Sequence, residues 1–257
     1  MFEDFPLDEF GGRLPQLSFE VQRVPRLKND APRLEDLVQS VCLLPSSGEF
    51  AYASETVEDR LGAGQSFNIN INNLSGQTDI ERALDQLENQ LPNCRHVSII
   101  ISWFGTDLRM EQCELHPGVE RPMRNTDPLI WSVGGIERSS AYQVSRDEND
   151  RPVFGGTPSD ESILQAINAL KSRGYAVTLY PFILMDIPPD NDLPNPYNGE
   201  ASQPVFPWRG RITCSPAPGQ VGTPDQTDQM QSSTDAFLGG AQTVSYTHLT
   251  LPTTPYV

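Results

Sequence analysis

The chain has 257 residues, 37% of them hydrophobic, with 23 prolines and 19 glycines, a size and composition that suit one large domain or two small ones with long loops. Its 18 basic and 34 acidic residues leave a net charge of −16, which repels a phosphate backbone and argues against nucleic acid as a partner. No apolar run reaches the roughly 18 residues a membrane helix needs, and the acidic opening MFEDFPLDEF lacks the basic region of a secretory signal.

In chain order, Leu17, Phe19, Val21 and, after a change of phase, Val24 predict a short alternating strand. Leu34, Leu37, Val38 and Val41 follow helical spacing and predict a short helix over 34–44. The segment QSFNININN (65–73) alternates Phe67, Ile69 and Ile71 with polar residues, the period of a half-buried strand. Thr78 followed by Glu81 is the pattern of a capping box. Ile80, Leu84, Leu87 and Leu91 then share one helical face, and Pro92 ends that helix. The strand 96–103 follows at once. Its centre, Ile99-Ile100-Ile101, does not alternate, which suits a strand covered on both faces in a parallel sheet.

A second such unit begins at Thr157, which is placed to cap a helix with Pro158 at its first position and Asp160 in its first turn. Ile163, Ala166, Ile167 and Leu170 form the buried stripe, and Gly174 suits the C-terminal cap. Residues 175–185, YAVTLYPFILM, read as another core strand. A third helix is expected from about 222–226, where GTPDQ echoes GTPSD (156–160), with Met230, Thr234 and Phe237 as its stripe.

Alternating helices and strands predict an α/β fold with a parallel sheet, and such folds place function beyond the carboxyl ends of the strands. Both core strands run into acidic loops there, GTDLR (105–109) and DIPPDND (186–192). Asp107 and Asp186 are the candidate catalytic residues: two carboxylates on one rim can divide acid and base duties in glycoside hydrolysis, or each can cap its own loop. Trp103 either stacks on a sugar face or packs under the loop. Trp208, Arg209 and Arg211, in PWRGR, either bind a carboxylate-bearing substrate or pair with the chain's own acids. Cys42, Cys94, Cys113 and Cys214 stand far apart and only three histidines exist, so no metal site and no cofactor is expected. Phosphate-binding loops, nucleophile elbows and H-E-x-x-H motifs are absent from the sequence.

From about residue 90 to 240 the segments SWFGTDLR, VGGIERSSAYQVS, RPVFGGTPSDESILQAINALKSRGY, PFILMDIPPDN, NPY and PWRGRITCSPAPG together resemble the glycoside-hydrolase TIM-barrel-like domain in the large tail protein of gene transfer agents and related phages. FEDFPLDEFGGRLPQLSFEV resembles the β-rich tail-hub region that precedes that barrel. The resemblance implies a small β-containing region over 1–77 and a partial TIM-barrel-like parallel sheet over 78–244. It implies a tail-tip or baseplate hub protein of a phage-like particle, assembled in the bacterial cytoplasm. Its partners would be other tail proteins and cell-envelope glycan. The alternative is a glycosidase of peptidoglycan or surface glycan using Asp107 and Asp186. The ending SYTHLTLPTTPYV (245–257) is similar to a translated sequencing adapter, and a full barrel takes about 250 residues, so the chain is expected to be the N-terminal piece of a longer protein, inactive by itself.

Overall fold

The computed structural model describes residues 32–62, 64–207 and 211–239. The expected strand at 17–24, Trp208, Arg209 and the segment 245–257 lie outside them. From residue 35 onward the described residues form one unit.

The helix expected over 34–44 is a single turn, α1 (Leu34–Leu37), and the chain turns extended at β1 (Ser40–Leu43). Val41 and Leu43 pack inward as strand residues, so period-two burial overrides the helical spacing there. β2 (Glu58–Gly62) and β3 (Gln65–Asn68) form an antiparallel hairpin. β3 ends before Ile69 and Ile71, all four of its residues are exposed, and the residue buried in this stretch is Asn70. The Asn70 amide is saturated: Oδ1 accepts from the Val57 N–H at 2.9 Å, and Nδ2 donates to the carbonyls of Ala53 at 3.1 Å and Glu55 at 2.8 Å. A fully bonded amide sits in a core without the penalty of an orphaned polar group.

α2 (Asp79–Gln90) buries Ile80, Leu84 and Leu87. Thr78 stands at its N-cap, yet its hydroxyl makes no cap bond and donates to the Ser54 carbonyl at 3.4 Å. Asp79 ties the entry down instead, accepting from the Asn72 N–H at 2.8 Å and the Asn72 amide at 2.7 Å. β4 (His96–Gly105) follows. The long loop after it carries β5 (Leu115–His116), β6 (Gly118–Val119), β7 (Thr126–Asp127), β8 (Ser132–Val133), β9 (Ile136–Glu137), a 3₁₀ turn (Arg138–Ser140) and β10 (Tyr142–Gln143). α3 (Asp160–Ser172) is capped by Ser159, whose hydroxyl accepts from the Ser162 N–H. Thr157 does not cap this helix: its hydroxyl accepts from the Gly118 N–H at 2.9 Å and its carbonyl from the Trp131 indole at 2.8 Å, which locks the loop onto the helix entry. Gly174, at φ +84°, takes the left-handed position after α3 that a side chain disfavours. β11 (Ala176–Met185) and, later, α4 (Asp228–Leu238) complete the described elements.

The central sheet has the order β1-β4-β11 and all three strands are parallel, with Ser40 and Ala176 both in register with His96. β1 ends opposite Ile99, and β5 takes up the vacated edge of β4 at Phe104 and Gly105. The two crossovers, through α2 and α3, lie on one face. Their stripes meet Val41, Leu43, Val97, Ile99, Ile101, Val177 and Leu179 in one core. Buried Tyr52 bridges the end of β1 to β4, donating to the Leu43 carbonyl at 3.2 Å and accepting from the Ile100 N–H at 3.0 Å. Burial accordingly pushes its phenol above the ordinary value.

The opposite face is not covered along its length, contrary to the reading of the isoleucine run. Ser98, Ile100 and Ser102 are half-buried, and Thr178 and Tyr180 are exposed. Only its carboxyl-end portion is roofed, where Phe104 and Leu184 meet Val144, Tyr142 and Phe154 from the loops. The described residues form no closed barrel.

Candidate functional site

β4 and β11 stop together at the pair Gly105–Met185, so Asp107 and Asp186 emerge on the same rim just beyond it. The Asp186 N–H is held to the Gly105 carbonyl at 2.9 Å. Strand alternation sends Met185 into a cluster with Leu108 and Ile187, while Asp186 continues the opposite face beside Leu184.

Asp107 is 3% exposed, and both its oxygens are occupied. Oδ1 accepts from the Arg109 N–H at 2.7 Å, the Arg109 Nε at 3.1 Å and the Gln203 amide at 2.7 Å, and Oδ2 accepts from Arg109 Nη2 at 2.6 Å. Gln203 closes the ring by accepting the Leu108 N–H at 2.9 Å. A bidentate arginine and a local turn bond are what a carboxylate makes when it clamps its own loop. Burial pushes the Asp107 carboxyl up, but the donors of Arg109 and Gln203 outweigh burial and hold it below the usual carboxylate range. With a folded value below the unfolded one, its stabilisation is complete above about pH 4 and disappears as pH falls through the lower, folded value. Asp107→Asn is therefore expected to flatten the acid limb of a stability-against-pH curve measured by urea melts. An unchanged acid limb would count against the clamp.

Asp186 is 2% exposed and is held differently. Its Oδ2 accepts from the Tyr142 hydroxyl and the Ser145 N–H, each at 2.8 Å, whereas its buried Oδ1 has no hydrogen-bond partner. Tyr142 stacks on His116 at 5.4 Å between ring centroids, and His116 Nε2 lies 3.0 Å from Glu114 Oε2. Burial, and then the Asp186 charge, push the Tyr142 phenol well above its ordinary value, so it serves as a donor. Asp107 and Asp186 share the rim but no bonding partner.

Trp103 packs half-buried against the cluster of Phe50, Val57, Val119 and Trp131, under the loops. Arg211 is exposed, and its carbonyl accepts from the Tyr197 hydroxyl at 2.6 Å. The four cysteines are unpaired, and among the described residues no group of three or more His, Cys, Asp or Glu side chains gathers as a metal site would. Among the same residues no helix is long and apolar enough to cross a membrane.

The largest charged constellation among the described residues has no periodic signal in the sequence. Glu49, 1% exposed, accepts from Arg138 Nη2 at 2.6 Å, Arg124 Nη1 at 3.2 Å and the Glu120 N–H at 2.8 Å. Arg124 also reaches Glu120 and Asp59, each at 3.2 Å, and Arg138 lies over the Trp131 ring at 5.8 Å. The one trace in the sequence is glycine. A Cβ on Gly155 would come within 2.7 Å of the Gly48 nitrogen, and one on Gly156 within 2.7 Å of Glu49 Cγ, so the loops close around Glu49 only because these positions lack side chains.

No family model matches the chain, and no curated protein sequence matches it either.

Proposed function

We propose that this chain is a structural and host-contacting component of a phage-like tail tip or baseplate, of the kind found in gene transfer agents, carrying a glycoside-hydrolase-like α/β unit. The resemblance of its segments to that tail protein supports the reading. So does the topology, because sequential parallel strands with both crossover helices on one face are the repeating unit of a (β/α) barrel wall. The observation that carries the structural role is Asp107, whose oxygens are both committed to Arg109 and Gln203, a loop clamp rather than one half of an acid–base pair.

The second reading, a glycosidase acting on peptidoglycan or surface glycan, draws on Asp186, which keeps one buried oxygen free. It needs a second working carboxylate at a fixed separation on the other side of the scissile bond. Asp107 would have to give up Arg109 to supply it.

Immunogold labelling of phage-like particles from producing cells, with an antibody to this chain, tests the first reading. Label concentrated at the tail tip is expected. Particles without label, with the chain recovered only in the unassembled fraction, contradict it.

A further inference from the structure

Five carboxylates are buried in the described residues, and four are matched. Glu49 has Arg124 and Arg138, Asp59 has Arg124, Asp107 has Arg109, and Asp79 accepts from the backbone and side-chain amides around it. Asp186, like Asp79, has no cation, but whereas both Asp79 oxygens accept amide donors, the two donors of Asp186, Tyr142 and Ser145, are both neutral and both on Oδ2. Its Oδ1 is buried without a donor. A buried acceptor left empty is costly, and a buried carboxylate with no counter-charge more so. The position is not accidental to the fold, since Asp186 stands beyond the carboxyl ends of parallel strands, where α/β proteins bind ligands.

From this contrast we infer that Asp186 is a binding site for a protonated primary amine, whose N–H group donates to Oδ1 and whose charge supplies the missing cation. This goes beyond the tail-component reading and does not depend on it. The surroundings suit such a group. Tyr142 is stacked between His116 and Phe104, and Phe154 and Phe182 pack in the same cluster, so aromatic rings gather at this end of the sheet. Tyr142, Ser145 and Phe182 around it are only half-buried, so the carboxylate lies close beneath the surface of the rim. Tyr142 holds Oδ2 in place and so acts as the positioning residue.

The amine could be free or borne on the lysine of another protein, and the test separates the two. The ¹⁵N–¹H resonance of Ser145, whose N–H bonds the same carboxylate, is followed while methylammonium is added, with sodium and tetramethylammonium at equal ionic strength as controls. A saturable shift with methylammonium, and none with sodium or with tetramethylammonium, which has no N–H, is expected. The shift is lost in Asp186→Asn and reduced in Tyr142→Phe. Nα-acetyl-lysine methylamide is titrated in parallel: tighter binding than methylammonium assigns the site to a partner's lysine, and weaker binding to a free amine. If Asp186→Asn does not fold, the comparison of methylammonium with tetramethylammonium on the unaltered chain still decides. No saturable shift, or the same shift with all three cations, overturns the inference.

Discussion

Glu49→Ala is expected to destabilise the protein by about 3–5 kcal/mol, the range for removing one partner of a buried ion pair. Glu49 joins three parts of the chain. Its carboxylate takes Arg124 and Arg138 and the Glu120 N–H from the loop after β4, and its backbone carbonyl takes the Ser159 N–H at the start of α3. With the carboxylate gone, Arg138 keeps only the Arg121 carbonyl and the Trp131 face, and Arg124 keeps Glu120 and Asp59. Two guanidiniums, each about a tenth exposed, would lose their shared anion. Glu49→Gln preserves shape while removing charge, so it should recover part of the loss through its amide oxygen. The exposed pair Arg60–Asp127 is the control: both side chains are about half in water, and Asp127→Asn should change stability by less than about 1 kcal/mol. Urea denaturation of the three variants checks this. A Glu49→Ala loss no larger than that of Asp127→Asn would mean the cluster is ornamental.

Leu170→Ala is expected to cost about 2–5 kcal/mol, the range for truncating a core leucine. Leu170 is fully buried between α3 and the sheet, in the same core as Leu84 of α2 and Ile99 of β4. Two helices and three strands converge on that one layer, and the opposite face of the sheet gives little compensating burial. The cavity would therefore open in the principal core of the unit. Ile167→Ala should act in the same direction, by a similar mechanism. A circular-dichroism melt of Leu170→Ala that coincides with the parent would show that α3 does not pack as described.

What could be read from sequence followed from periodicity. The stripe Ile163, Ala166, Ile167 and Leu170 fixed α3 and its buried face, and the helix between two apolar runs implied the parallel pairing of β4 with β11. The isoleucine run misled about the second face because hydrophobicity states a preference for burial, not what is present to provide it. Ile100 has the same side chain as Ile99, but only Ile99 has helices above it. The helix expected over 34–44 failed for a similar reason, since Val41 satisfies both periods and the pairing with Val97 decides between them. At the rim, the positions of Asp107 and Asp186 were legible as strand ends, but their roles were not. The partners that set those roles, Gln203 and Tyr142, come from loops 96 and 44 residues away in the chain. Glu49 and its arginines were illegible for the same reason. Their contacts are long-range, and no local period marks them.

We propose that the rim carboxylates hold loops and do not cleave glycan. Release of reducing ends from purified peptidoglycan, measured for the chain alongside Asp107→Asn and Asp186→Asn, is the test. No release above the blank is expected for any of the three. Release by the parent chain that disappears in Asp107→Asn while the variant remains folded would contradict it, because Asp107 would then be working as an acid or base despite its bonds to Arg109 and Gln203.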